Sequence, residues 1–461
     1  MKQEPKKTKI SQLITKFEKM LHGNKHSFFD TREFEKIADH YIDKGQLGEA
    51  MSSMEIAFEQ YPFSANFLIK KAQILTILER LPEAITILKT AETLEPGNPD
   101  LYIAKGSVLS KKRKHQQALK YFHKAKSLTE DPIEVLPFIA FEYQCLGKFQ
   151  EAINHLTTFL EAEPKDDIAI FNIAYCFERI DAFDEAINFF KNLTDKVPYC
   201  EMTWYQLGLF YNKTKNYTEA IKALDYAILI DECFTAGYHE KARSLTKIGK
   251  TKEAIKTYLL TFAFENASGY TYLKIGLCYK ELSMYKQAIR YLTKACHEDP
   301  QLSESWMEIG ICYDQLNATN EGLYYIQKAV NLNPNDLEYL YIQTNMYKKV
   351  GLYDEAKIGY ERLIELGCKS AKIWLEYSDL IKIISGIKDV IDILKKSIED
   401  NNENADLFFR LGAFFYLDKQ IELANKYLKK ATNINPDSKK ELFEYLPSLK
   451  EDESFKQLLN N

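Results

Sequence analysis

Residues 201–234 read EMTWYQLGLFYNKTKNYTEAIKALDYAILIDECF, and this stretch decides the fold. Trp204, Leu207, Gly208 and Tyr211 fall at steps of three and four, and so do Ala220, Leu224 and Ala227. Such steps place each group on one face of a helix, so the stretch predicts two helices joined by a turn. Numbered from 1, it carries a large residue at position 4, a small one at 8, an aromatic at 11, alanine at 20 and a large–small pair at 24 and 27.

The pattern repeats along the chain. Ala50, Ala84, Ala118, Ala152, Ala186, Ala220, Ala254, Ala288, Gly322, Ala356, Val390 and Ala424 each lie 34 residues after the one before. Position 8 is small in all twelve units: Ala38, Ala72, Gly106, Ala140, Ala174, Gly208, Ala242, Gly276, Gly310, Thr344, Ser378 and Gly412. Position 4 is large and apolar and holds Trp204, Trp306 and Trp374, the three tryptophans of the chain. Position 32 is proline in seven units (Pro62, Pro96, Pro164, Pro198, Pro300, Pro334, Pro436), where a missing amide proton ends the second helix. Gly45, Gly147, Gly249 and Gly351 at position 15 suit a left-handed stop to the first helix. Small residues at 8 and 20 let the paired helices approach, and large ones at 4, 11 and 24 fill the space between units. A hairpin of this kind buries its apolar face only against its neighbours, so the units must stack.

This pattern resembles the tetratricopeptide repeat family, whose 34-residue signature runs Trp-x2-Leu-Gly-x2-Tyr, Ala-x3-Phe and Pro. The resemblance covers residues 31–438 and implies an all-α, right-handed superhelical solenoid of about twelve helical hairpins. The units are 31–64, 65–98, 99–132, 133–166, 167–200, 201–234, 235–268, 269–302, 303–336, 337–370, 371–404 and 405–438. The eleventh departs most, with Ser378, Ile381, Val390 and Ser397 where the family prefers Gly, Tyr, Ala and Ala. Lys71, Lys105, Lys241 and Gln343 interrupt position 7, where a lysine stem is expected to snorkel. Pro137, at position 5 of the fourth unit, predicts a local irregularity in its opening helix.

The ends read as caps. Residues 1–30 carry seven lysines against three acids, and Ile10, Leu13, Ile14, Phe17, Met20 and Leu21 follow helical spacing. A basic amphipathic helix over 9–21 is expected to cover the first unit, the rival being a membrane or partner anchor. Leu442, Tyr445, Leu446 and Leu449 continue the pattern into a degenerate C-terminal cap over 439–461, with a short final helix around Phe455 to Leu459.

Composition narrows the function. The chain of 461 residues has 18 glycines, 13 prolines and no alternating strand pattern with hairpin turns, which favours helix throughout. A net charge of -5 argues against general nucleic-acid binding. No apolar run is long enough for a membrane span. Eight cysteines without a CxxC pair, three of them (Cys176, Cys278, Cys312) at position 10 of different units, suggest reduced structural thiols in a cytoplasmic protein.

A search for chemistry yields no enzyme, cofactor or metal site. Gly249-Lys250-Thr251 imitates the end of a phosphate loop, but Ser244 stands where its first glycine belongs. His22 and His26 have no carboxylate or cysteine to complete a metal site. The basic turn Lys111–His115 reads as a solvated loop, with contact to an acidic partner as the lesser alternative.

The resemblance places positions 2, 5, 9, 12 and 13 on a concave groove. The family's carboxylate clamp for chaperone tails needs a basic residue at position 5, where this chain has Glu35, Ile69, Ile103, Pro137, Phe171, Tyr205, His239, Leu273, Met307, Tyr341, Leu375 and Phe409. Binding of chaperone tails by that route is therefore not expected. The groove of the central units, four to ten, is apolar instead and is the expected binding surface: Phe141, Phe171, Tyr175, Met202, Tyr205, Leu209, Tyr270, Leu273, Leu277, Met307, Ile311 and Tyr341. Such side chains suit a peptide or helix from a protein partner. Glu35, Asp39, Asp43, Arg243, Lys247, Lys280, Lys348 and Lys349 are candidates to orient it. The expected role is an interaction scaffold or adaptor. Its rivals are a self-associating scaffold and a peripheral membrane adaptor working through residues 1–21.

Overall fold

The computed structural model describes residues 4–22 and 28–460. His26 lies outside them, and so does the proposed pairing of His22 with it. Every regular element among the described residues is helical. The chain divides into two compact units, residues 1–240 and 241–461.

Each repeat is a hairpin of a first helix and a second helix, as in Glu201–Lys213 with Tyr217–Ile230, or Ser303–Gln315 with Thr319–Leu332. Side chains open many of the first helices. Asp30 Oδ1 accepts from Glu33 N at 2.7 Å while Asp30 N donates to Glu33 Oε2 at 3.0 Å, a reciprocal cap. Asn98, Asp166, Ser268, Asp336 and Asn404 accept a backbone N–H in the same place.

The stop at position 15 is more general than glycine. Gly45, Gly147, Gly249 and Gly351 are left-handed, with φ from 71 to 82°, and so are Glu79, Arg113, Asp181, Lys215, Ser283, Asn317 and Lys419. The amide that follows reaches back to position 11, as in Asn216 N to Tyr211 O at 2.8 Å. That bond satisfies a carbonyl at the helix end. In the eleventh repeat Ser385 holds an extended backbone instead, with φ -133 and ψ -174°.

Packing within a hairpin follows positions 8, 20 and 24. A Cβ added to Gly208, Gly276 or Gly412 would lie 2.6–2.7 Å from the Cγ of Leu224, Leu292 or Leu428. The small residue is thus a seat for the large one opposite. Packing between hairpins uses position 4. Trp204 Nε1 donates to Pro198 O at 2.9 Å, Trp306 Nε1 to Pro300 O at 3.0 Å and Tyr102 Oη to Pro96 O at 2.7 Å. Each bond ties an aromatic to the proline that closes the preceding repeat. Position 32 of the tenth repeat is Cys368, and the buried Trp374 Nε1 beside it finds no acceptor.

Three features break the regularity of the repeats, the one expected at Pro137 among them. Pro132–Val135 forms a 3-10 turn, and the α-helix of the fourth repeat runs only over Leu136–Cys145. Pro137 stands in its first turn, where its missing N–H costs no intrahelical bond. At the N-terminus the helix spans Glu4–His22, longer than 9–21, and buries Ile14 and Phe17 against Phe29, Phe34 and Tyr41. Beyond the twelfth repeat the chain makes three short helices, Lys439–Tyr445, Pro447–Glu451 and Glu453–Asn460. Pro447 interrupts the first of them, and Leu442, Leu449 and Phe455 bury against Phe408 and Phe409.

Lysines at position 7 find acids on the neighbouring second helix. Lys71 Nζ bonds Glu55 Oε1 at 2.9 Å, and Lys105 pairs with Glu92. All eight cysteines are free thiols, and burial pushes Cys296 and Cys312 up to about 12.

Candidate functional site

The irregular fourth repeat shapes the surface within residues 1–240. The first helices of repeats two and three approach closely, as do those of five and six; Leu136–Cys145 does not come equally close to either neighbour. The gap is an open cavity of about 780 Å³ between repeats two and five. Gln73, Ile77, Ile103, Ser107, Lys111, Pro137, Phe141 and Ile168 line it, all at the positions expected to face a groove. Phe138 and Phe122 form the floor, stacked with ring centroids 5.5 Å apart. Phe141 also borders a smaller cavity of about 160 Å³, so its exposed ring divides the two.

One wall of the larger cavity is polar. Glu142 is only 1% exposed, and its Oε2 meets His115 Nδ1 at 2.8 Å. Glu142 occupies position 10, which is Cys176, Phe210, Cys278 or Cys312 elsewhere, all buried. A carboxylate is kept there because the imidazole of the preceding repeat satisfies it. The bond joins the third repeat to the fourth across the cavity wall. Lys111 and Arg113, expected in a solvated loop, stand at the same wall.

The twelve candidate groove residues separate by environment. Phe141, Phe171 and Tyr175 are exposed in residues 1–240, and Tyr175 packs edge-on against Phe149. Met202, Tyr205 and Leu209 are half-buried, Tyr205 lying edge-on to Phe234 at 5.1 Å. Within residues 241–461 only Tyr270 of the candidates is exposed, with Lys274 Nζ 4.8 Å from its ring. Leu277 and Ile311 are half-buried, and Tyr341 donates its hydroxyl to Glu376 at 2.9 Å.

Leu273 and Met307 must be corrected. Both are buried core residues, Leu273 packing with Ile309 and Cys312 of the ninth repeat and Met307 in the cluster that holds Leu340 of the tenth. Several of the orienting charges are also engaged internally. Asp39 pairs with Lys70, Lys280 with Glu308, and Lys349 Nζ with Asp314 Oδ1 at 2.7 Å.

Ile77, Phe138, Ile168 and the His115–Glu142 contact were not anticipated as parts of one surface. Pro137 was the available signal, together with a glutamate at a position that is otherwise mostly apolar. Among the described residues no group of His, Cys, Asp and Glu is arranged to hold a metal ion, and no helix is long and apolar enough to cross a membrane.

Comparisons with known proteins find tetratricopeptide repeats along the chain. Tetratricopeptide repeat models match residues 36–99 and 143–201, residues 99–132, 203–232 and 303–336, and residues 270–301. No curated protein matches the chain. Among solved structures, that of MamA is 19% identical with a TM-score of 0.34, the match covering 36% of this chain and 97% of that one. YrrB, described as a TPR protein with an unusual peptide-binding site, is 15% identical with a TM-score of 0.35, over 41% of this chain and 97% of its own. The Naa15/Naa10 structure bound to HypK-THB gives 13% identity and a TM-score of 0.36, over 87% of this chain and 63% of that one. With the repeat models covering more than half of its length, the chain belongs to the tetratricopeptide repeat family.

Proposed function

We propose that the chain is a protein-interaction scaffold and that its docking surface is the first-helix face of repeats two to five. The observation that carries this reading is the open cavity beside Phe141, where Ile77, Phe138, Phe141 and Ile168 are all exposed within one compact unit. Exposed apolar groups scattered singly are ordinary, whereas a contiguous set around a concavity is the form of a binding surface. Phe171 and Tyr175 extend it along the fifth repeat. A partner's peptide or helix would place apolar side chains in the cavity and lie against these rings.

The test compares the folded wild-type chain with a Phe141→Ala/Phe171→Ala variant. Partners captured by the wild type are identified by quantitative mass spectrometry, and the affinity of the leading one is then measured for both chains. Both rings are exposed, so the variant should keep the wild-type circular dichroism and melting profile. Loss of a well-packed aromatic anchor commonly costs about 2 kcal/mol or more, so affinity should fall roughly thirtyfold. Undiminished binding by the folded variant would place the docking surface elsewhere.

A further inference from the structure

The mouth of the cavity carries a charge that its floor does not. Lys111, Lys112, Arg113 and Lys114 are consecutive and exposed in the turn between the two helices of the third repeat. Lys111 and Arg113 line the cavity itself. None of the four forms an ion pair with a described residue, in contrast to Lys70, Lys105, Lys280 and Lys349, each matched by an acid of a neighbouring helix. The one carboxylate in the described wall, Glu142, is buried and already taken by His115. It therefore presents no exposed carboxylate to a ligand.

Four adjacent like charges repel one another, and no ion pair with a described residue offsets them. They stand out against a chain whose net charge is -5. Beside them lies apolar surface of a size that admits one or two large side chains. A complementary segment must satisfy both features together.

Resting on the reading of this face as a docking surface, we propose that its occupant is a segment of a partner protein in which a large apolar side chain is flanked by two or more Asp or Glu residues. The apolar side chain enters the cavity beside Phe141, and the carboxylates meet Lys111 and Arg113 at its lip. The adjacent Lys112 and Lys114 add to the field that draws the segment in. A purely apolar segment would leave the four cations without a partner. A purely acidic one would leave the cavity open to water.

The full-length chain is the bait for a random dodecapeptide library displayed on phage, and the leading peptide is then synthesised with a fluorophore. The enriched sequences should share a large apolar residue within a few positions of paired acids. Lys111→Glu/Arg113→Glu should weaken binding of the synthetic peptide by roughly tenfold or more, and raising the salt should weaken it for the wild type but hardly for that variant. Both substituted residues are exposed, so an unchanged melting curve serves as the folding control. Enriched peptides without acids, lost on Phe141→Ala but indifferent to the charge reversal, would overturn this inference and leave the docking surface standing. Binding indifferent to both variants, or no enrichment at all, would overturn both. Displacement of the bound peptide by a poly(dT) oligonucleotide in low excess would also overturn it, since the turn would then be reading phosphates.

Discussion

Position 8 is where one atom matters most, because its side chain points into the partner helix of its own hairpin. Glycine there is not uniformly required, since Ala38, Ala72 and Ala140 occupy the same place. What differs is the obstacle. A Cβ on Gly276 would meet Leu292 at 2.6 and 2.7 Å, but the nearest backbone atom, Ala288 O, is 3.4 Å away. A Cβ on Gly310 would meet Ile326 Cγ1 at 2.3 Å and also Gly322 O at 2.9 Å, since positions 8 and 20 of that repeat are both glycine. A leucine side chain can turn aside, whereas a helix backbone can yield only by separating the pair. Gly310→Ala should therefore destabilise residues 241–461 by roughly 1–3 kcal/mol, and Gly276→Ala by less than about 1 kcal/mol. Gly276→Leu should behave like Gly310→Ala or worse. Chemical denaturation of the three variants checks the order, and equal midpoints for all of them would refute the helix spacing described here.

At the scale of the element, irregular repeats are held by devices that the repeat pattern does not contain. In the eleventh repeat Ser378 replaces the preferred glycine, Ser385 lacks the left-handed stop, and Trp374 Nε1 lacks the backbone acceptor that Trp204 and Trp306 find. Arg410, from the next first helix, compensates. Its Nη1 donates to Leu375 O at 2.9 Å and Ser378 Oγ at 3.0 Å and pairs with Asp379, while its guanidinium lies 3.7 Å from the Tyr445 ring centroid. One side chain thus joins repeat eleven, repeat twelve and the closing helices. Arg410→Ala should cost roughly 2–4 kcal/mol, since several charge-assisted bonds and a stacked ring go together. Arg410→Lys should recover little, because an ammonium lacks the guanidinium plane that lies over the Tyr445 ring. A melt of each variant beside the wild type decides it, and a full rescue by lysine would reduce the contact to simple charge pairing. The same contrast marks what was legible in the sequence. Hairpins, their phase and the small–large pairing were, because they recur every 34 residues. The left-handed stop was legible only at four glycines, since Glu79 or Lys215 in that conformation leaves no compositional trace. Burial of Leu273 and Met307 was not legible either, because position 5 is exposed at Phe171 and buried at these two under the same 34-residue pattern. The cavity beside Phe141 follows from a local spacing, which Pro137 signalled only as a disturbance.

For the molecule at large, the decisive property is that within each compact unit contacts join a repeat to its immediate neighbours. Core clusters follow one another along residues 1–240, from Phe17 and Phe34 through Leu88 and Phe122 to Phe190 and Phe210. A second series runs along residues 241–461, from Leu292 through Tyr360 and Leu394 to Phe408 and Phe455. In a chain of this kind stability is close to a sum of repeat and nearest-neighbour contributions, so damage stays local. Gly208→Leu provides the test. Its side chain would drive into Leu224, whose Cγ lies 2.7 Å from the Cβ position, and separate the helices of the sixth repeat. Hydrogen exchange should then show lost protection in repeats five and six, with repeats nine to twelve exchanging as in the wild type. Thermal unfolding should broaden rather than shift as one transition, since the two-state description fails when parts of an array melt separately. Loss of protection spread evenly over all twelve repeats would mean that the array folds as one cooperative body. A docking surface built on repeats two to five would then be sensitive to substitutions anywhere in the chain. Under local cooperativity it tolerates damage to the distant repeats, so Gly310→Ala should leave peptide binding beside Phe141 intact while Gly106→Leu, which presses on Phe122 in the cavity floor, should abolish it.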